Sequence, residues 1–198
     1  MCLKDGGEIM TSFYTDEELK QLGLCSFGKN VKISRKASIY GANRVSIGDN
    51  VRIDDFCILS GYIELGNYIH IAAYTALYGG DQGIYISDFS NLSSRVSVYS
   101  VSDDYSGETM TNPMVPDEYK NVLSKAVHIG KHTIIGSTSV VLPGVNIAEG
   151  SSFGSFSFIN RDSEPWSINV GIPFKKIKSR SKELLKFEEK LKQTQDKE

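Results

Sequence analysis

Cysteine, proline, tryptophan and long apolar runs are all scarce in this chain: 198 residues hold three cysteines, five prolines and one tryptophan. No stretch approaches the roughly 20 apolar residues that a membrane-crossing helix needs. Cys2, Cys25 and Cys57 are odd in number, far apart and in no CxxC arrangement, so neither a disulfide framework nor a thiolate zinc site is expected. A charge excess of one sign is also missing. Lys and Arg total 22 against 24 Asp and Glu, a formal charge of −2, which leaves no footprint for nucleic acid or for an anionic membrane. The start, from Met1 to Glu8, has no apolar core of signal-peptide length. The expectation is a cytoplasmic protein with one buried core and small caps.

What the chain has is a repeat of six. Counted from Phe27, the leading position is Phe27, Ile33, Ile39; Ile47, Ile53, Leu59; Leu65, Ile71, Leu77; Ile86, Leu92, Val98; Ile129, Ile135, Val141; and Ile147, Phe153, Ile159. Every leader is large and apolar. Four positions on, most residues are small or β-branched, as in Val31, Cys57, Thr75, Ser90, Thr133 and Ser157. Side chains two apart on a strand share a face, so each leader should share the interior with the small residue two places before it. Directly after many leaders stands a glycine, as in Gly28, Gly48, Gly66, Gly130, Gly136 and Gly154, which is expected to serve a tight bend.

The irregularities carry as much information as the rule. Spacing departs from six only at Ile39 to Ile47, Leu77 to Ile86 and Val98 to Ile129, always after a third hexad. Insertions therefore leave from one corner of a three-sided coil. The expected fold is an all-β solenoid, a parallel β-helix of six coils. Residues 1–26 would form a cap, in which Thr15-Asp16-Glu17-Glu18 reads as a capping box opening a short helix ended by Gly23. The solenoid would span 27–164 with an inserted loop at 99–127. Residues 165–198 would form a C-terminal extension whose helix, about 181–193, carries Leu184, Phe187 and Leu191 on one face. Its Lys and Glu residues read as a solvated face, and Gln193 to Glu198 as a frayed end.

Two motifs follow the repeat, Val141-Leu142-Pro143-Gly144-Val145-Asn146-Ile147 and Val170-Gly171-Ile172-Pro173-Phe174-Lys175-Lys176-Ile177. With them the chain resembles the left-handed β-helix acyltransferases, near the galactoside and xenobiotic O-acetyltransferase branch. The resemblance implies left-handed winding, a homotrimer with active sites between neighbouring subunits, and acetyl-CoA or another acyl-CoA as co-substrate, with no metal. It places that co-substrate in a groove where backbone amides near Gly136-Ser137 and Gly154-Ser155 meet the pantetheine arm. Lys175, Lys176 and Arg180 are candidates to pair with its phosphates by charge complementarity. The competing structural reading is that the glycines serve only the coil and the cations only the solvent.

An insertion as long as 99–127 inside a compact domain points to function. In the O-acetyltransferase branch such a loop opens with a catalytic histidine; here Val98-Tyr99-Ser100-Val101-Ser102-Asp103 puts Asp103 in its place. A sugar hydroxyl needs a strong, well-placed base, whereas a neutral amine already offers its lone pair. The run from Ser102 to Gly107 is similar to that of N-acyltransferases acting on dTDP-linked 4-amino-4,6-dideoxyglucose, the anthrose and viosamine type that serve surface polysaccharides such as O-antigen. Asp103 and Ser93 are the candidate catalytic residues, and Ser94, Asp104, Tyr105 and Asn112 the candidate contacts to a nucleotide-sugar substrate. Asp103 has a bland alternative, a loop carboxylate capping backbone amides. Three rival functions stand beside this one: an O-acetyltransferase using His128 or His132 as base, a zinc anhydrase using His70, His128 and His132, and a noncatalytic binding solenoid.

Overall fold

The structure, a computed structural model, describes residues 12–195. Cys2, the Met1–Glu8 start and residues 196–198 lie outside the described residues, whereas Gln193–Gln195, expected to fray, continue the C-terminal helix.

The leaders stack in three columns, each running up one face of a parallel β-solenoid. On the first face, Phe27, Ile47, Leu65, Ile86, Ile129 and Ile147 are successive partners in register. On the second, Ile33, Ile53, Ile71, Leu92, Ile135 and Phe153 follow one another. On the third, the series is Ile39, Leu59, Leu77, Val98, Val141 and Ile159. All leaders but Phe27 and Ile39 of the first coil are buried, as are the small residues that precede them, among them Val51, Cys57, Thr75, Ser90, Ser139 and Ser157. The second face adds one more rung: Ser167–Val170 pairs parallel to the strand below and sets Asn169 over Phe153. The solenoid therefore starts a further turn beyond the six expected, and the antiparallel strand Lys175–Ser179 then covers its edge.

The glycine after each leader does a different job from the one expected. Its backbone is not left-handed. A Cβ on Gly136 would sit 2.4 Å from the Ser155 nitrogen and 2.6 Å from the Gly154 carbonyl carbon, so glycine is required by the close approach of the next coil. The sharp bend falls three places after the leader. There Tyr68, Phe89 and His132 adopt φ of 57°, 58° and 59°. Left-handed backbone is costly for such residues, and the coil offsets the cost by stacking their rings: Tyr68 on Phe89 at 4.8 Å, Phe89 on His132 at 5.1 Å.

Helix α1, Asp16–Gln21, has the anticipated capping box. The Thr15 amide donates to Glu18 Oε2 at 2.8 Å, the Glu18 amide to Thr15 Oγ1 at 3.3 Å, and Leu19 is fully buried. Helix α2, Leu184–Gln195, corrects the sequence reading. Phe187 is exposed, while Glu188, expected on a solvated face, is buried against His132 and Lys131. No described helix is long and apolar enough to cross a membrane.

Candidate active site

The two corners flanking the second face differ in how their backbone is satisfied. Between the first and second faces, the second residue after each leader is repeatedly Asp or Asn. Asp49 Oδ1 accepts the Lys29 amide at 2.6 Å, Asn67 Oδ1 accepts the Asp49 amide at 2.7 Å, and Asp88 Oδ1 accepts the Asn67 amide at 2.7 Å. Each side chain thus seals the amide of the coil below.

Between the second and third faces, the equivalent upper positions are Ser94, Ser137 and Ser155, whose side chains do not reach that amide. Among the described residues, their N–H groups donate no hydrogen bond within the chain. The Gly136 and Gly154 amides, by contrast, are consumed by the ladder, donating to Phe153 O at 2.8 Å and Asn169 O at 2.9 Å. Of the two dipeptides singled out in the sequence, only the serine N–H groups remain available, and Ser94 joins them in the same row. Ser93 stands beside Ser94, half-buried; its amide and carbonyl are engaged by Ile135 O and Thr75 Oγ1, and its hydroxyl has no partner among the described residues. A row of unsatisfied donors next to a free hydroxyl is suited to a polar chain and a developing oxyanion.

At the far edge of the third face lies a cleft of about 870 Å³ lined by Tyr78, Tyr99, Ser102, Asp103, Tyr105, Pro113, Val122, Val140, Leu142 and Phe158 among others. Tyr78 and Tyr99 stack at 5.0 Å. The inserted loop builds one wall. It leaves and returns as a short antiparallel pair, Val101–Ser102 with Leu123–Ser124, so the segment is folded onto the solenoid. Asp103 follows the first of these strands, exposed at the cleft, and no hydrogen bond or ion pair engages its carboxylate among the described residues. Tyr105 is 93% exposed at the same place.

Asp104 faces the other way. Its carboxylate accepts the Ser106 amide at 2.8 Å, the Thr109 amide at 3.2 Å and the Thr109 hydroxyl at 2.7 Å, bonds that hold its pKa down at about 2. Asn112 likewise accepts the Met114 amide at 3.0 Å and does not line the cleft, and neither Ser93 nor Ser94 does. The six loop and corner candidates therefore divide into two groups on opposite edges of one face.

The cations are also divided. Lys175 is exposed, Lys176 is ion-paired with Glu164, and Arg180 donates to the carbonyls of His132 at 2.7 Å and Gly150 at 3.0 Å. Arg180 thus anchors the C-terminal segment to the coils. The histidines are occupied elsewhere: His70 lies 2.8 Å from Asp54 and 3.0 Å from Asn91, His128 stacks on Tyr85 at 4.8 Å, and His132 is buried under α2. None lines the cleft with Asp103, and no group of three metal-ligating side chains occurs among the described residues.

Two features escaped sequence reading. The aromatic and aliphatic cleft floor had a visible signal: outward positions on the third face, next to the leaders, are apolar at Tyr78, Tyr99, Val140, Leu142 and Phe158, where a solvated face would be polar. The Asx-sealed corner was equally visible as Asp49, Asn67 and Asp88 recurring at one hexad position.

No family model matches the chain. The dTDP-4-amino-4,6-dideoxy-D-glucose acyltransferase of Escherichia coli is 52% identical over 179 residues, which cover 88% of this chain and 93% of that protein. AntD, an N-acyltransferase from Bacillus cereus, in complex with dTDP and 3-hydroxybutyryl-CoA, matches at a TM-score of 0.92 and 50% identity, covering 94% of this chain and 100% of that one. Variants of AntD with one serine or one aspartate replaced, ten positions apart, were solved with coenzyme A and either dTDP-4-amino-4,6-dideoxyglucose or dTDP. Galactoside acetyltransferase in complex with coenzyme A, at 19% identity and a TM-score of 0.56 over 83% of this chain and 70% of that one, shares the fold. With half its residues identical over nearly the full length of both sequences, the chain belongs to the family of the dTDP-4-amino-4,6-dideoxy-D-glucose acyltransferases.

Proposed function

We propose that the chain transfers an acyl group from acyl-CoA to the amine of a dTDP-linked 4-amino-4,6-dideoxyglucose, for use in surface polysaccharide. The observation that carries this reading is the cleft's composition. It presents a free carboxylate, Asp103, and no histidine, which suits an amine acceptor. Ser93 and Asp103 lie ten positions apart, the spacing of the serine and aspartate altered in AntD.

In this reaction the amine lone pair attacks the thioester carbonyl, a C–N bond forms and the oxygen takes negative charge. The Ser93 hydroxyl and the open Ser94 N–H supply donors to that oxygen, and the Ser137 N–H one coil on meets the pantetheine arm. Collapse breaks the C–S bond, the thiolate leaves, and the ammonium proton passes by way of Asp103 to the thiolate or to water. The products are an amide and free coenzyme A thiol. Ser94 and Tyr105 belong to the sugar-nucleotide side of the site, while Asn112, bonded to the Met114 amide, shapes the loop. Ser155, Lys175 and Lys176 belong to the acyl-CoA side, where the two lysines meet phosphate by charge.

Ser93 and Asp103 stand on opposite edges of the third face, which supports a homotrimer in which each site is completed by a neighbour. The test is thiol release from acetyl-CoA and 3-hydroxybutyryl-CoA with the dTDP-4-amino sugar. Wild type is expected to turn over at least one of these pairs, and Ser93→Ala and Asp103→Asn to lower kcat/KM by roughly a hundredfold. Unchanged kinetics in both variants would remove the proposed roles.

A further inference from the structure

The loop carries two adjacent aspartates with opposite environments. Asp103 has an unengaged carboxylate at the cleft, whereas both Asp104 oxygens are committed to Ser106 and Thr109. On the N-terminal side of Asp103, the backbone is fixed by the pairing of Val101–Ser102 with Leu123–Ser124 and by the Lys125 amide bonded to Ser100 O at 2.9 Å. On its C-terminal side the chain is next tied down at Met110, whose amide donates to Tyr119 O at 2.9 Å, and within the intervening turn Asp104 makes most of the bonds: Gly107 has a φ of 83°, Tyr105 is almost fully exposed, and Glu108 is bonded only through its amide to Ser106 Oγ at 3.1 Å.

We propose that Asp104 is a positioning residue, which clamps the 104–109 turn through Thr109 and Ser106 and so holds Asp103 and Tyr105 in the cleft toward the acceptor amine. This rests on the assignment of Asp103 above and replaces the sequence reading of Asp104 as a substrate contact. The clamp is a carboxylate accepting three donors, and a carboxylate so engaged stays ionised well below neutral pH. It restricts the loop at low cost, because its ring of bonds closes over only five residues. A displacement of about 1 Å at a reacting group costs up to a hundredfold in rate, so losing the clamp is expected to act on turnover of the acceptor rather than on folding.

Five variants and the wild type separate the possibilities, each assayed for KM of the amino sugar, KM of acyl-CoA, kcat and thermal midpoint. Asp104→Asn leaves one carbonyl oxygen where two accepted. It is expected to lower kcat/KM for the amino sugar by roughly ten- to a hundredfold. KM for acyl-CoA should stay within about twofold and the thermal midpoint within about 2 °C, as for a change confined to a surface loop. Thr109→Val, which removes the hydroxyl and keeps the shape, is expected to move in the same direction, and Thr109→Ser to restore activity. The double variant Asp104→Asn/Thr109→Val should be no worse than Asp104→Asn alone, since both break one clamp. A loss in Asp104→Asn with Thr109→Val at wild-type activity would overturn the proposal and return Asp104 to direct substrate contact. Equal losses in both KM values, or no loss at all, would also overturn it. Asp103→Asn, run in parallel, isolates the other premise: if that variant keeps wild-type kinetics, it is the assignment of Asp103 that fails.

Discussion

His132 Nε2 lies 2.7 Å from Glu188 Oε2, across 56 residues of sequence, and the pair fixes the C-terminal helix to the solenoid. Burial pushes the Glu188 carboxyl up, but hydrogen bonds from Lys131, Lys192 and His132 outweigh it and bring its pKa from the usual 4.5 down to about 2. A carboxylate depressed in the folded state contributes stability above its unfolded pKa and loses it as pH falls through the folded one. Amide-exchange protection of α2 is therefore expected to be steady above pH 4.5 and to fall between pH 4.5 and 2. Glu188→Ala should remove about 2 kcal/mol from helix docking, roughly thirtyfold in protection at neutral pH, because it leaves the buried His132 ring without its partner while Lys131 and Lys192 still reach solvent. Protection in α2 that is flat through the acid range would contradict the assignment.

Gly136 separates two explanations of the repeated glycine. If a bend were the reason, alanine would be tolerated, since Gly136 does not have left-handed backbone. Close packing gives the opposite result, because the added methyl would lie 2.4 Å from the Ser155 nitrogen. Gly136→Ala is expected to destabilise the chain by about 2–3 kcal/mol, as overpacked sites do, with the denaturation midpoint as the readout. A change under about 0.5 kcal/mol would favour the bend.

The sealed corner suggests a way to close the open one. Asp49 accepts the amide of Lys29 one coil below, and Ser155 stands in the same relation to Ser137. Ser155→Asp should cap the Ser137 amide and add a negative charge beside a phosphate-bearing ligand. KM for acyl-CoA is expected to rise by roughly tenfold or more, as when a charge-assisted contact of about 1.5 kcal/mol is lost, while the thermal midpoint holds or rises. An unchanged KM would place the co-substrate away from this row.

Much of the fold was legible because a solenoid writes its turns linearly: each leader's register partner is the leader of the next coil, so the three columns could be counted from Phe27 to Ile159. The gaps after Ile39, Leu77 and Val98 gave the insertion corner for the same reason. What failed depended on tertiary docking. Glu188 looks like any other charge on α2, and only the position of His132 makes it a buried partner. Gly136 is glycine under either explanation, and the two differ only in coordinates. At the site, Asp103 stood out as a departure from a resembled histidine, whereas the inward turn of Asp104 could not be told from its neighbour by sequence alone.

The decisive measurement is thiol release from acyl-CoA with two matched dTDP sugars that differ only in bearing an amine or a hydroxyl at C4. Turnover with the amino sugar and none above background with the hydroxy sugar is the expected result, because Asp103 can orient an amine but is too weak a base for an alcohol. Turnover of the hydroxy sugar alone would contradict it.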